Sequence, residues 1–350
     1  MQPLLKISLN LIKLRTLEEI LQEIVDLIEN NDNFVITSHV NPDGDSIGSQ
    51  LALLYFLREL GKNATAISYS ETPVNYRFLD KNIIEKYSSE SHDRVIAEAD
   101  VIFILDTNDY SRVRAMASKV KESKAKKVCI DHHLGGDSSF DYVYADDESA
   151  STGEMLFKII THGPWGKHIT KEVAEALYTA IMTDTGSFRF PRTDSETHKI
   201  AAELIEHGAD PVYIYEEVYD KSSIGRLRLL SIFLNNVVEK LDGRLAYSII
   251  RQSDFDRTGT GVFDSEGFSH HLMSVGSVQI GLIFTEGKRG IKVSFRSKGN
   301  ISVNEYAKEF GGGGHQNAAG AFFEGGKMEE VIKKVLSSAE KYIQIRSLKV

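Results

Sequence analysis

Short apolar, β-branched runs alternate with longer segments of helical spacing through the first half of the chain. Residues 34–39 (FVITSH), 63–68 (NATAIS), 101–106 (VIFILD) and 127–133 (KVCIDHH) read as strands, whereas residues 16–30, 47–60 and 172–182 place apolar side chains at helical intervals. Such alternation predicts a mostly parallel sheet with helices on its faces, and hence a ligand crevice at the carboxyl ends of the strands. Residues 193–243 read as consecutive helices punctuated by Asp210-Pro211 and Asp242-Gly243. From Arg244 the pattern is mixed, with strands at 244–250, 278–284, 291–297 and 318–324, a helix at 303–310 and a closing helix from Met328. The expected organisation is an α/β domain over 16–190, a helical connector over 191–242 and a smaller mixed α/β domain over 243–345.

Composition narrows the function classes. A chain of 350 residues exceeds one ordinary core, which stops growing near ~250 residues, so two domains are expected. A net charge of −9 disfavours binding to long nucleic acid, which needs a field of Lys and Arg over many phosphates, but leaves room for a short anionic ligand in a local pocket. The single cysteine, Cys129 in a strand-like run, excludes a disulfide framework and a Cys-rich zinc site and fits a reducing compartment. Lys6, Asn10 and Lys13 interrupt the apolar opening, which argues against a signal peptide. No window approaches the ~20 apolar residues of a membrane span. A cytoplasmic protein without membrane partners is the expectation.

Chemistry gathers at the segment junctions. His39, Asp43 and Asp45 crowd the first strand-to-helix junction; Asp106 ends a strand; Asp131, His132 and His133 end another; Asp184 follows a helix in "TDTG". Taken singly these have bland readings, with Asp43-Gly44 as a turn and Asp45 as an N-cap. Together, several carboxylates meeting in one crevice repel strongly unless cations sit among them. Asp with a few His favours Mn²⁺, Mg²⁺ or Fe²⁺ over a thiolate-type zinc site. In the last third, Gly311 to Gly314 followed by His315 suit either a phosphate cradle or a glycine turn, and Arg296 suits a phosphate fork or a solvated strand position.

In order, "SHVNPDGDSIGS", "ILDTND", "IDHHLG" and "TAIMTDTGSF" resemble the four motifs of the DHH phosphoesterase superfamily, and "VSFRSKGNISVNEYAKEFGGGGHQNAAGA" resembles the signature of its associated DHHA1 domain. In size the chain is most similar to the stand-alone nanoRNase and 3′-phosphoadenosine 5′-phosphate (pAp) phosphatase group. The resemblance implies a two-manganese site: His39, Asp43 and Asp106 on one ion, Asp45, Asp106, His132 and Asp184 on the other, with Asp106 bridging. It places Asp131 behind His132, orienting it, and His133 toward the reacting phosphate. Arg296, Gly313, Gly314 and His315 are implied to bind the nucleotide, while Asn317 stands in the motif without an assigned role. Two ions about 3.5–4 Å apart would activate a shared water for in-line attack on phosphorus.

The implied activity is Mn²⁺-dependent hydrolysis of short oligoribonucleotides to mononucleotides and of pAp to AMP and phosphate, by a protein expected to form a homodimer. A cyclic di-AMP or pApA phosphodiesterase would use the same metal residues. A manganese pyrophosphatase would need a lysine- and arginine-based clamp in place of the glycine-His segment. A non-catalytic nucleotide-binding regulator is the alternative from another class, disfavoured because every expected metal position is filled.

Overall fold

The computed structural model describes residues 16–133 and 139–344. The opening residues 1–14, weighed above as a targeting segment, lie outside the described residues, as do Leu134 and Gly135 of the third motif. Contacts divide the chain between Lys221 and Ser222 into two compact units.

The first unit is built on six parallel strands: β1 (Asn33–Ser38), β2 (Asn63–Ser68), β3 (Glu85–Lys86), β4 (Val101–Leu105), β5 (Lys126–Asp131) and β6 (Tyr142–Ala145), in the order β3-β2-β1-β4-β5-β6. Adjacent residues of each central strand face opposite sides, so each strand feeds two cores. Phe34, Ile36, Phe103, Leu105, Val128 and Ile130 pack beneath the helices Leu17–Asn30, Gly44–Glu59, Thr152–His162 and Lys171–Asp184. Val35, Ile102, Ile104 and Cys129 pack on the other face with Ile96, Val113 and Val120. Burial on both faces explains why these strands read as unbroken apolar runs. The strand order reverses direction between β1 and β4, the switch point at which open α/β sheets bind ligands.

Three of the covering helices approach unusually closely, and glycine permits it. A Cβ on Gly44 would fall on the Thr183 side chain, on Gly48 on the Ala176 carbonyl and Ala180, and on Gly153 on Ala180. Helix Gly44–Glu59 therefore lies directly against Lys171–Asp184, and the start of Thr152–His162 packs beside both.

The stretch expected to connect the domains forms helices Ser195–Glu206, Pro211–Tyr219 and Ile224–Asn235, and the division at residue 221 falls inside it. In the second unit, β7 (Val238–Lys240), β8 (Leu245–Ile250), β9 (Ile280–Gly287), β10 (Gly290–Ser297), β11 (Gly313–His315) and β12 (Ala318–Glu324) form a mixed sheet ordered β11-β12-β10-β9-β8-β7. Only β8 and β9 run parallel. Phe295, Val293 and Ala319 face a core under the helices Val303–Lys308 and Met328–Gln344, while Ala246, Ile250 and Ile283 pack with Phe233, Phe255 and Leu272 on the opposite face. Among the described residues no helix is long and apolar enough to cross a membrane.

Candidate metal centre

His39 follows β1, Asp106 follows β4, and Asp131 closes β5 with His132 and His133 behind it. Since β1, β4 and β5 are neighbours in the sheet, their carboxyl ends bring these groups together without any long-range loop. Helix Gly44–Glu59 starts at the same edge and supplies Asp43 and Asp45; helix Lys171–Asp184 ends there and supplies Asp184. The glycine-permitted contact between those helices thus sets the position of Asp45 against Asp184.

The capping role falls on a different aspartate from the one expected. Asp43, exposed, is the N-cap and accepts from Ser46 N at 3.1 Å. Asp45 lies in the first turn, buried, where it accepts from Thr152 N at 2.8 Å, Gly153 N at 3.0 Å and Ser49 Oγ at 3.1 Å. An N-cap needs extended backbone with its side chain turned back onto the first helical N–H groups, and only Asp43 has it. The start of helix Thr152–His162 is what satisfies Asp45.

Asp106 joins two groups of donors. Its Oδ2 lies 3.1 Å from His39 Nε2, and its Oδ1 lies 3.6 Å from His132 Nε2. His132 Nε2 is also 3.7 Å from Asp45 Oδ2 and 3.5 Å from Asp184 Oδ2, while His39 Nε2 is 4.0 Å from Asp43 Oδ1. The donor atoms of His39, Asp43 and Asp106 lie within 4.8 Å of one another, and so do those of Asp45, His132 and Asp184 and those of Asp106, His132 and His133. Asp106 holds a left-handed backbone, φ 57°, with its N–H donating to Ile130 O at 3.0 Å. A non-glycine residue kept there by a neighbouring strand is strain of the kind that collects at functional sites.

The electrostatics are those of a site short of positive charge. Burial pushes the Asp45 carboxyl up to about 7, helped by the charge of Asp43 and opposed by its hydrogen bonds. Burial, then the carboxylates of Asp45, Asp43, Asp184 and Asp131, drive Asp106 well above the usual range. Burial does the same to Asp184, with Asp45 and Asp43 adding to it and Arg192 opposing. Burial depresses both imidazoles, His39 below its ordinary value and His132 to about 4. Neutral imidazoles and crowded carboxylates with few counter-charges are a donor set suited to divalent cations, which would supply the missing charge.

The tautomers agree with that fit. His39 Nδ1 lies 2.9 Å from Val40 O, so a proton there leaves the Nε2 lone pair facing the carboxylates. His132 similarly has the Ser149 carbonyl as its backbone partner. Here the expected role of Asp131 is corrected: Asp131 Oδ1 pairs with His133 Nδ1 at 2.7 Å, and a backbone carbonyl stands behind His132 instead. Asp131 is the last residue of β5, so its side chain and that of His133, two positions on, share a side of the chain. His133 retains some exposure while Asp131 is fully buried, and Asp131 Oδ2 has no hydrogen-bond partner among the described residues.

In the second unit, the pairing register sets the expected nucleotide-binding residues in one row. Arg296 on β10 lies opposite Ala318 on β12, which lies opposite His315 on β11. Directly opposed residues share a face, so Arg296 and His315 flank one methyl group, roughly 10 Å apart at two strand spacings. Burial lowers the Arg296 pKa; its Nη1 donates to its own chain at Phe295 O, 2.9 Å away, and no carboxylate among the described residues lies within ion-pair distance. A desolvated guanidinium of this kind is suited to an anion.

The glycine run, expected as a cradle or a turn, begins as a turn and ends in a strand: Gly311, at φ 72°, donates to Lys308 O after helix Val303–Lys308. Gly313–His315 forms β11, and Gly314, at φ 150°, has no room for a side chain because a Cβ would fall on the Ala318 carbonyl. Gly313 differs: a Cβ there meets nothing nearer than Asn304 Oδ1 at 3.9 Å, so packing does not demand glycine. Asn317 ties the site together from below, its Nδ2 donating to Ser297 Oγ, Gly299 O and Ile301 O.

Two residues near the first cluster carry no local sequence signal. Arg112, on the segment after β4, lies close enough for its charge to lower the His39 pKa. Arg192, in the loop after Asp184, places Nη1 3.3 Å from both His132 Nδ1 and His132 O.

Comparison with known proteins identifies the family. Residues 33–181 match the DHH family, N-terminal domain, and residues 264–344 match the DHHA1 domain. The bifunctional oligoribonuclease and PAP phosphatase NrnA of Thermus thermophilus is 30% identical over 93% of this chain and 93% of its own length. The Bacillus subtilis protein of the same name is 28% identical over 85% of this chain and 92% of its own. A crystal structure of an exopolyphosphatase-related protein from Bacteroides fragilis superposes with a TM-score of 0.90 at 35% identity, covering 93% of this chain and 96% of that one.

Proposed function

The chain belongs to the DHH family and is a hydrolase, and within that family we propose that it is a Mn²⁺-dependent phosphoesterase hydrolysing short oligoribonucleotides to mononucleotides and pAp to AMP and phosphate. The observation that carries the reading is the convergence of His39, Asp43 and Asp106 with Asp45, His132 and Asp184, joined through the two oxygens of Asp106. The relatives named for oligoribonuclease and PAP phosphatase activity supply the substrate class. A reducing cytoplasmic setting is in keeping with one buried thiol, Cys129.

In this reading the two groups each hold one divalent cation, Mn²⁺ by preference over Mg²⁺ or Fe²⁺, with Asp106 shared. Held by these residues, divalent cations would supply Lewis-acid charge for phosphoryl oxygens and for the activation of water. The protein's own part is pre-organisation. Val40 O and Ser149 O hold the protons of His39 and His132 on the nitrogens facing away from the cluster. The backbone N–H groups of Thr152 and Gly153 fix Asp45 before substrate arrives. Asp131 anchors His133, whose partly exposed ring is placed to donate toward a phosphoryl oxygen as charge develops. Arg296 and His315, with open backbone at Gly313, take an anionic part of the nucleotide.

The test is turnover by metal-stripped protein, with Mn²⁺ restored, on an RNA dinucleotide, pAp, pApA, cyclic di-AMP and pyrophosphate. Dinucleotide and pAp are expected to turn over fastest. Preference for cyclic di-AMP or pyrophosphate, or tight binding of all five without turnover, would overturn the reading.

A further inference from the structure

The first unit carries an arginine, Arg192, at the rim of its candidate metal centre that forms no ion pair among the described residues. Arg192 is exposed, and its Nη1 reaches the backbone oxygen and Nδ1 of His132. Among the described residues its Nε and Nη2 have no hydrogen-bond partner, and no carboxylate lies within ion-pair distance. The chain around it is fixed: Arg189 N and Phe190 N both donate to Thr185 O, Phe188 N donates to Thr185 Oγ1, and Thr193 N donates to Phe190 O. The loop thus fixes the backbone around Arg192, and its guanidinium meets His132 and not an opposite charge.

Its position relative to His132 decides what it can touch. His132 turns Nε2 toward Asp45, Asp106 and Asp184, and Arg192 stands at the other edge of the ring. When His132 ligates through Nε2, its Nδ1 carries a proton and cannot accept from Arg192, which frees a further N–H of the fork. Five carboxylates, those of Asp43, Asp45, Asp106, Asp131 and Asp184, gather at the cluster, and Arg112 is the other guanidinium whose charge reaches it. A phosphate approaching so acidic a cluster is favoured by each cation at its rim.

Resting on the function proposed above, we propose that Arg192 binds the second, non-reacting phosphate of the substrate, one imidazole's width from the reacting one. It would thereby favour nucleotides carrying two phosphates, such as pAp or a 5′-phosphorylated dinucleotide. A planar fork with free donors beside a desolvated imidazole suits bidentate phosphate binding.

Steady-state kinetics of Arg192→Ala and Arg192→Lys on pAp, pApA, the unphosphorylated dinucleotide ApA and bis(p-nitrophenyl) phosphate, with Mn²⁺ titration calorimetry, test this. Arg192→Ala should raise KM for pAp and pApA by roughly 10- to 100-fold, the loss expected for a charge-assisted hydrogen bond. The single-phosphate substrates should change by less than about threefold, Arg192→Lys should recover part of the loss, and Mn²⁺ affinity should hold. Equal loss of kcat on all four substrates with weaker Mn²⁺ binding would assign Arg192 to positioning His132 and overturn the inference. Unchanged kinetics on all four would overturn it too. Wild-type protein inactive on every nucleotide would instead sink the parent reading, and this inference with it.

Discussion

The two units hold their candidate groups in opposite ways. In the first, carboxylates and imidazoles come from the ends of buried parallel strands and from two helix termini, and burial shifts Asp45, Asp106, Asp184, His39 and His132 away from their ordinary titration. In the second, His315 and the glycines lie exposed on an edge strand, and Arg296 is the one strongly desolvated group in the row. A buried, like-charged cluster costs stability until cations arrive, whereas an exposed row costs little and waits for ligand. Metal dependence should therefore belong to the first unit, and the second should contribute to substrate affinity without affecting metal.

The largest effect that would break this contrast is at Asp106. Asp106→Ala should lower turnover by at least on the order of 10³-fold on every substrate and reduce bound Mn²⁺, as read by calorimetry, because it serves both groups. Next comes the helix contact that places Asp45 against Asp184. Gly48→Val pushes a branched side chain into the Ala176 carbonyl and Ala180, and should cost about 1–3 kcal/mol or more in urea unfolding while weakening Mn²⁺ binding. An unchanged unfolding midpoint would mean that the helices are not held so closely.

Two substitutions in the glycine strand sharpen the other half. Gly314→Ala should destabilise, since φ 150° and the Ala318 carbonyl leave no space, whereas Gly313→Ala should leave thermal stability unchanged and raise nucleotide KM by roughly 10-fold. Mn²⁺ affinity should be indifferent to both. If Gly313→Ala binds nucleotide normally, β11 is structural only.

The smallest effect is the pH response. Asp45 has a folded pKa raised to about 7, so in metal-free protein its unfavourable contribution is absent below the unfolded value near 3.8 and grows to its full size as pH rises through 7. His132, depressed to about 4, and His39, also lowered, work the other way below pH 6.5, but they are two groups against the raised carboxylates of Asp45, Asp106 and Asp184. Metal-free protein should lose Tm between pH 5.5 and 7.5. The Tm gained on adding Mn²⁺ should grow over that window, because below pH 7 the cation must displace a proton from Asp45, costing about tenfold in affinity per pH unit.

Much of the first unit is legible in the sequence because β1, β4 and β5 are uninterrupted apolar runs that stop abruptly at acids and histidines. What local pattern cannot show is pairing. β3 is Glu85–Lys86 and β7 is Val238–Lys240, too short and too polar to announce themselves, and they exist as strands through β2 and β8. That Asp45 is buried and satisfied while Asp43 caps the helix depends on where helix Thr152–His162 begins, more than 100 residues away. The partner of Asp131 depends on side-chain direction at a strand end, and the second half of the glycine run is a strand only because β12 returns alongside it. Arg192 is visible only through its contact with His132, sixty residues earlier.

Anomalous diffraction at the manganese edge, from crystals grown with Mn²⁺, tests the central claim most directly. Two peaks are expected within about 4 Å of each other, one coordinated by His39 and Asp43, the other by Asp45, His132 and Asp184, with Asp106 touching both. No peak at these residues, or a single ion that leaves Asp106 uncoordinated, would contradict the account.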